Sequence, residues 1–307
     1  MKNISSSFRT IFLLIFIMKV KFWGTRGSIA VTGKDYCKYG GNTPCVEIAF
    51  DDSNELIVFD AGSGIRELGI DLINRNNHRD LKIFLSHFHT DHIIGLPFFA
   101  PLYNSEFKID IFAQPYVLNK TEDILDLILS PPLFSITKDY FKCELTFHNI
   151  ESGFVYKTSQ YKIEAISLNH PNPTLGYKII CNNKKLVYFT DNELIQNNHS
   201  INEIENLIIK NHQNLIDFCF EVDVLIHDAS YSFDDYNRRI GWGHSSNLAV
   251  AIFAKIARVK NLYLFHYDPE YDDKFIDDYL ESTKAYIKKI NCEVNCFASY
   301  DQLELDF

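Results

Sequence analysis

From Val20 onward, short runs of β-branched and aromatic residues alternate with glycine-containing turns. Such runs at 20–23, 46–50, 56–59, 81–85, 109–112, 161–168, 177–180, 186–189, 224–226, 262–265 and 294–298 predict buried strands. Between them, 65–74, 121–129, 201–210, 247–257 and 274–290 place apolar residues three or four apart, the spacing of helices with one buried face. This mixture predicts two sheets packed face to face with helices on their outer faces, rather than an all-parallel doubly wound sheet. No repeat and no Pro/Gly/Ser linker interrupts the pattern, so 19–307 reads as one domain. Residues 114–145, with Pro131-Pro132, read as an inserted lobe over one rim.

Composition narrows the class. At 307 residues and 46% hydrophobic, with 25 Phe and 17 Tyr, the chain can bury a large core, and disorder is excluded. Seven scattered cysteines, an odd number, do not form a secreted disulfide framework and point to reduced thiols in the cytoplasm. A formal charge of −10 argues against an extended nucleic-acid tract as partner, because phosphates would be repelled over most of the surface. The apolar run 11–18, preceded by Lys2 and Arg9, is far short of the ~20 residues a spanning helix needs, so stable membrane insertion is not expected. It reads either as a leader, though without a small-residue cleavage site, or as an extension from a start assigned too early, with Met18 the true start. We prefer the second, which makes 1–18 no part of the catalytic domain.

The chemistry concentrates in Leu85-Ser-His87-Phe-His89-Thr-Asp91-His92, three histidines and a carboxylate within six residues after an apolar strand. In extended chain His87 and His89 face the same way and reach one ion, while Asp91 and His92 turn into a helix and address a second. Imidazoles with a carboxylate and no nearby thiolate suit a chemical zinc site, with manganese or iron as alternatives, rather than a structural one.

That string resembles the hallmark of the metallo-β-lactamase superfamily. The resemblance implies an αββα sandwich of the α/β (α+β) class with a dinuclear metal site at one edge of the two sheets. It further implies that His170, Asp191 and His266, each after an apolar run, complete a set of seven ligands with His87, His89, Asp91 and His92. Asp191 would bridge the two divalent ions, and Asp60, in Phe59-Asp60-Ala61-Gly62, would orient the histidines from behind. His78, His148, His199 and His212 match no motif and are expected at the surface.

Two further segments, Leu225-Ile-His227-Asp228-Ala-Ser230 and Gly241-Trp-Gly243-His244-Ser245-Ser246, are similar to paired motifs of the tRNase Z and cyclic-nucleotide phosphodiesterase branch. The resemblance implies that His244 contacts the scissile phosphate, that Asp228 orients it, and that Asp91 belongs to the catalytic group as well as to the metal set. An imidazolium suits phosphodiester cleavage because it neutralises a phosphoryl oxygen and protonates the leaving alkoxide. Arg26 and Asn42, in glycine-rich N-terminal turns of the same resemblance, and Ser245 are candidate substrate contacts.

The reading preferred at this level is a metal-dependent phosphodiesterase that uses a hydroxide shared by two ions on a small phosphodiester, most plausibly a cyclic nucleotide. A homodimer is compatible with it. The alternatives are a tRNA 3′-processing endonuclease, a thioester or lactone hydrolase, and a non-catalytic metal-binding relative. The endonuclease ranks second because 114–145 lacks the basic, glycine-rich arm of that family. Loss of chemistry is disfavoured because none of the seven positions is lost.

Overall fold

The computed structural model describes residues 18–306, apart from 52, 76, 116–119 and 197–198. The expectations for residues 1–17 lie outside the described residues. The chain builds two seven-stranded sheets. The first contains β1 (Met18–Gly24), β2 (Cys45–Phe50), β3 (Glu55–Phe59), β4 (Asp80–Phe84), β5 (Lys108–Ala113) and β6 (Glu144–Asn149). The second contains β7 (Val155–Lys157), β8 (Tyr161–Ser167), β9 (Leu175–Cys181), β10 (Lys184–Phe189), β11 (Val224–Asp228), β12 (Asn261–Phe265) and β13 (Asn295–Ala298). The last strand, β14 (Glu304–Asp306), returns to the first sheet, giving the orders β14-β1-β2-β3-β4-β5-β6 and β13-β12-β11-β10-β9-β8-β7.

The helices are α1 (Ile65–Asn74), α2 (Thr90–Ile93), α3 (Thr121–Ile128), α4 (Ile201–Asn211), α5 (Gln213–Cys219), α6 (Phe233–Tyr236), α7 (Asn247–Ile256) and α8 (Asp273–Lys289). Three apolar cores separate the layers. Between the sheets, Phe22, Phe59, Phe84, Tyr177, Tyr188 and Phe265 interdigitate. Leu68 and Leu72 of α1 pack on Ile83 and Ile109 of the first sheet, while Ile204, Val250 and Ile276 cover Leu225 and Leu264 of the second. This four-layer αββα arrangement is the predicted one. The physical reason is visible along β3, where Phe59 and Ile57 join the central core and Val58 and Leu56 the outer one, so the strand must be covered on both faces.

Some elements escaped the pattern. β7 and β14 are three residues long, too short for a period to register. β6 begins inside the expected lobe, and α5 follows α4 with one residue between them, so the two merge in a periodicity reading. Met18 is already the first strand residue, buried and paired with Phe50.

Strands β3, β4, β5 and β6 run parallel, as do β10, β11, β12 and β13. Parallel strands gather their carboxyl ends at one edge, the place where side chains can converge without disturbing the ladders. Every chemistry-bearing segment singled out in the sequence lies at that edge or in the loops facing it.

Candidate metal centre

Asp60 follows β3, His87 follows β4, Asp191 follows β10, Asp228 ends β11 and His266 follows β12. His89 is the cap residue of α2, which carries Asp91 and His92, and His170 lies in the loop between β8 and β9. Asp60, Asp191 and His266 all adopt left-handed backbone conformations, with φ of 60°, 53° and 62°. Non-glycine residues seldom adopt that region, and strain of this kind collects where a side chain must be aimed.

The donor atoms form overlapping groups. His87, His89, His170 and Asp191 make one, Asp91, His92 and His266 a second, and each group has its donors within 4.8 Å of one another. Asp191 reaches both. Its Oδ2 lies 3.4 Å from His87 Nε2 and 3.7 Å from His170 Nε2. Its Oδ1 lies 3.2 Å from His266 Nε2 and 3.3 Å from His92 Nε2. Asp91 Oδ2 sits 3.1 Å from His266 Nε2 and accepts a bond of 2.8 Å from the Ser28 backbone N–H.

Outer partners settle which nitrogen faces inward. His170 Nδ1 donates to the Gly243 carbonyl at 3.0 Å, and His92 Nδ1 donates to Asp60 Oδ2 at 2.8 Å. Ser86 and Ser230 each donate their hydroxyl proton elsewhere, to Asp60 and to the His266 carbonyl, so their oxygens accept from His87 Nδ1 at 3.0 Å and His266 Nδ1 at 3.1 Å. With the proton held on Nδ1 of His87, His170 and His266, each presents its Nε2 lone pair inward, and His92 Nε2 turns the same way toward Asp91 and Asp191. The inward nitrogens crowd together: His92 and His266 Nε2 are 3.2 Å apart, as are His170 Nε2 and His89 Nδ1. His87 Nε2 is buried with no hydrogen-bond partner. An orphaned buried imidazole nitrogen among convergent imidazoles and carboxylates is a donor set that a cation fits.

At His87 and Asp191 the electrostatics favour donation to a cation, whereas at His92 burial is outweighed by the carboxylates of Asp91, Asp191 and Asp60, which raise its pKa and favour its protonated form until a cation displaces the proton. Burial and the neighbouring imidazoles push His87 well below its usual pKa, which keeps it neutral and able to donate a lone pair. Burial opposes ionisation of Asp191, but the surrounding His266, His92 and His87 outweigh it and hold its pKa well below the carboxylate range.

His244, one residue before the Ser245-Ser246 pair that leads into α7, places Nδ1 3.3 Å from Asp228 Oδ2 and 3.9 Å from Asp191 Oδ2. Burial disfavours its charged form, yet Asp191 and Asp228 raise its pKa to about 9. It also forms a third close donor group with Asp191 and His266. Asp228 itself is fully buried and accepts the backbone N–H groups of Asn192 and Ser245.

Other expectations need correction. Arg26 is 0% exposed: its Nε and Nη1 donate to the Gly40 and Tyr271 carbonyls between the rings of Tyr36 and Tyr267 and its Nη2 is buried without a partner, so it braces the N-terminal turns from inside the protein. Asn42 accepts the Ser63 hydroxyl with its side chain, and its carbonyl receives the N–H groups of Thr25 and Arg26. Ser245 donates its hydroxyl to the Asn192 carbonyl and accepts from Leu194 N–H, while Ser246 caps α7. The Ser245 hydroxyl is thus engaged within the protein, and Asn42 is engaged through its Oδ1. The glycines likewise make room for ligands rather than substrate: a Cβ on Gly27 would lie 2.4 Å from His266 Nδ1, and one on Gly243 2.1 Å from His170 Nδ1. His78 and His212 are buried, not surface residues, and His212 donates to the Leu194 carbonyl.

Sequence reasoning missed the residues that steady the centre from behind. Tyr188 donates to Asp60 Oδ2, the amide of Asn172 lies against His89 Nε2, and the Glu193 carboxylate accepts Tyr236 O–H, Gly241 N–H and Gly243 N–H. Glu193 had a signal, being an acidic residue two positions from Asp191. Tyr188 had none, because it reads as an ordinary strand aromatic.

Residues 56–267 match the family model described as Beta-lactamase superfamily domain. A ribonuclease Z from Picrophilus torridus is 28% identical over 292 residues, covering 83% of this chain and 87% of that protein. Among solved structures, the metallo-β-lactamase fold protein YhfI from Bacillus subtilis superposes with a TM-score of 0.67 at 15% identity, over 95% of this chain and 99% of that one. The short form of human tRNase Z gives a TM-score of 0.58 at 18% identity, over 94% and 98%.

The ribonuclease Z relatives overturn the expectation of a small phosphodiester partner and no extended nucleic acid. The error was physical: net charge describes the whole surface, whereas binding of an anion is decided by the local field, to which divalent ions at the edge of the sheets contribute the largest charges. Among the described residues no helix is long and apolar enough to cross a membrane. Matching this family model over more than half its length, and carrying a convergent His/Asp cluster at the edge of its two sheets, the chain belongs to the beta-lactamase superfamily as a hydrolase dependent on divalent metal ions.

Proposed function

We propose that the protein is an RNA phosphodiesterase of the ribonuclease Z kind that cuts tRNA precursors, with 19–307 as its one catalytic domain. The observation that carries the reading is the His244–Asp228 pair, 3.3 Å apart and beside Asp191, because a held imidazole next to the metal donors is what cleavage to an alkoxide leaving group requires. In this reading His87, His89 and His170 would hold one ion and Asp91, His92 and His266 the other, with Asp191 placed within reach of both groups. When bound, the two ions supply a reactive water at neutral pH and positive charge for the phosphoryl oxygens, and zinc suits these donors best.

The remaining work belongs to side chains. Asp228 fixes His244 through Nδ1, leaving Nε2 to neutralise a phosphoryl oxygen and to deliver a proton to the departing oxygen. Asp60, Ser86, Ser230 and the Gly243 carbonyl keep the ligand rings in one tautomer and orientation. Water is restricted at the rear of the site by Phe59, Tyr188 and Phe265 of the central core. The seven cysteines, all free thiols, support a reducing compartment, the cytoplasm.

The test is a synthetic precursor tRNA incubated with zinc-loaded protein, beside 2′,3′-cyclic nucleotides and a thioester. A cut at the 3′ boundary of the mature tRNA, at a rate well above turnover of the other two, is expected. Turnover of a cyclic nucleotide or thioester with the precursor left intact would overturn the proposal.

A further inference from the structure

The loop 241–243 leaves one large side chain unexplained. Trp242 is 61% exposed, whereas the other tryptophan, Trp23, is 4% exposed. Its backbone is nevertheless held at every step. Glu193 accepts Gly241 N–H at 2.7 Å and Gly243 N–H at 3.2 Å, and Trp242 N–H donates to the Arg239 carbonyl at 3.1 Å. Gly241 and Gly243 both have positive φ, near 85° and 88°, so the two flanking turns use conformations that would strain any other residue there. The Glu193 carboxylate is buried, and the bonds recorded for it come from neutral donors, an arrangement that fixes a loop rather than neutralising a charge.

This rigid loop is part of the metal centre. Gly243 O receives the His170 Nδ1 proton, and His244 follows directly. On the side of the second donor group, Ile29, 64% exposed, stands next to Ser28, whose N–H binds Asp91. Two exposed apolar residues thus stand next in the chain to backbone groups that bind metal donors. An indole on a fixed loop offers a flat face at low ordering cost, and bases stack on such faces whatever their sequence.

We propose that Trp242 is a nucleobase-stacking subsite, holding a base next to the scissile phosphate. This rests on the RNA phosphodiesterase reading for its biological substrate, but the subsite is tested separately by equilibrium binding. The probes are adenosine 5′-monophosphate and ribose 5-phosphate, which share the phosphate and sugar and differ by the base, titrated into metal-loaded protein by calorimetry. The wild type should bind the nucleotide about tenfold more tightly, Trp242→Ala should erase the difference, and Trp242→Phe should restore most of it. With precursor tRNA, Trp242→Ala should raise KM about tenfold and leave kcat within about twofold, and the loss should vanish on a substrate made abasic at the nucleotides flanking the cut.

An unchanged nucleotide preference in Trp242→Ala would overturn the subsite whether or not RNA is cleaved. If the preference is lost in that variant but no RNA is cut by wild type, the subsite stands and the RNA reading falls. The indole's exposure makes a folding defect an unsuitable explanation for the alanine variant, and recovery in Trp242→Phe checks this.

Discussion

His244 and Asp191 lie 3.9 Å apart, and their substitutions separate binding of the ions from chemistry on the phosphate. Asp191 touches donors of both groups, so Asp191→Ala should bring metal content below about two ions per chain, measured by plasma mass spectrometry, and abolish turnover with it. His244→Ala should instead retain about two ions while turnover of the precursor falls roughly 10²–10⁴-fold, the span for a lost general acid. Asp228→Ala should give a milder loss, and the double variant should be little worse than His244→Ala alone, because the two residues act as one unit. Metal loss from the His244 variant would mean that its place in the third donor group is that of a ligand.

The turns between β1 and β2 illustrate what an element contributes that single residues do not. Asp301, from the loop between β13 and β14, accepts the N–H groups of Gly41 and Asn42, and a Cβ on Gly40 would collide with it. Burial raises its carboxyl pKa to about 7, against the opposing pull of those N–H groups, Arg26 and Thr25. The folded protein therefore binds this proton more tightly than the unfolded chain, whose aspartates titrate near about 4. The associated stability is fully present below about pH 4 and is lost as pH rises through about 7. Asp301→Asn removes that dependence, so its Tm relative to wild type should improve between pH 5 and pH 8; a constant difference across that range would refute the assignment. The α7 start shows the same cooperation, since Ser246 caps the helix while Ser245 N–H and His244 Nδ1 share Asp228.

At the scale of the whole molecule, the metal centre staples the two halves together. Asp60, His87, Asp91 and His92 come from the first sheet and its connections, while His170, Asp191 and His266 come from the second. Ions bound only by the folded state stabilise it by mass action. Stripping them also leaves His87 Nε2 buried without a partner. Treatment with a chelator should therefore lower Tm as well as abolish activity, and zinc should restore both. Calorimetric scans in which the chelated protein melts at the same temperature as the loaded one would show that the centre does not couple the sheets.

Much of this architecture was legible in the chain because its signals are local. The alternation along β3, the spacing of α8 and the dense run from His87 to His92 each depend on a few neighbouring residues, and period and motif reveal them without knowledge of the fold. His170, Asp191 and His266 were assigned only by resemblance, since an isolated histidine or aspartate after a strand has no period of its own. The fate of Arg26 and Ser245 was decided by tertiary structure alone: each has a polar group suited to a substrate, and only the packed turns reveal that Arg26 is buried against two carbonyls and that the Ser245 hydroxyl already binds another. The same holds for the convergence of inward imidazole nitrogens and for Glu193, which binds the backbone on either side of Trp242. Local propensity depends on side-chain type and spacing, whereas a hydrogen-bond partner hundreds of residues away exists only once both sheets have closed on their common core.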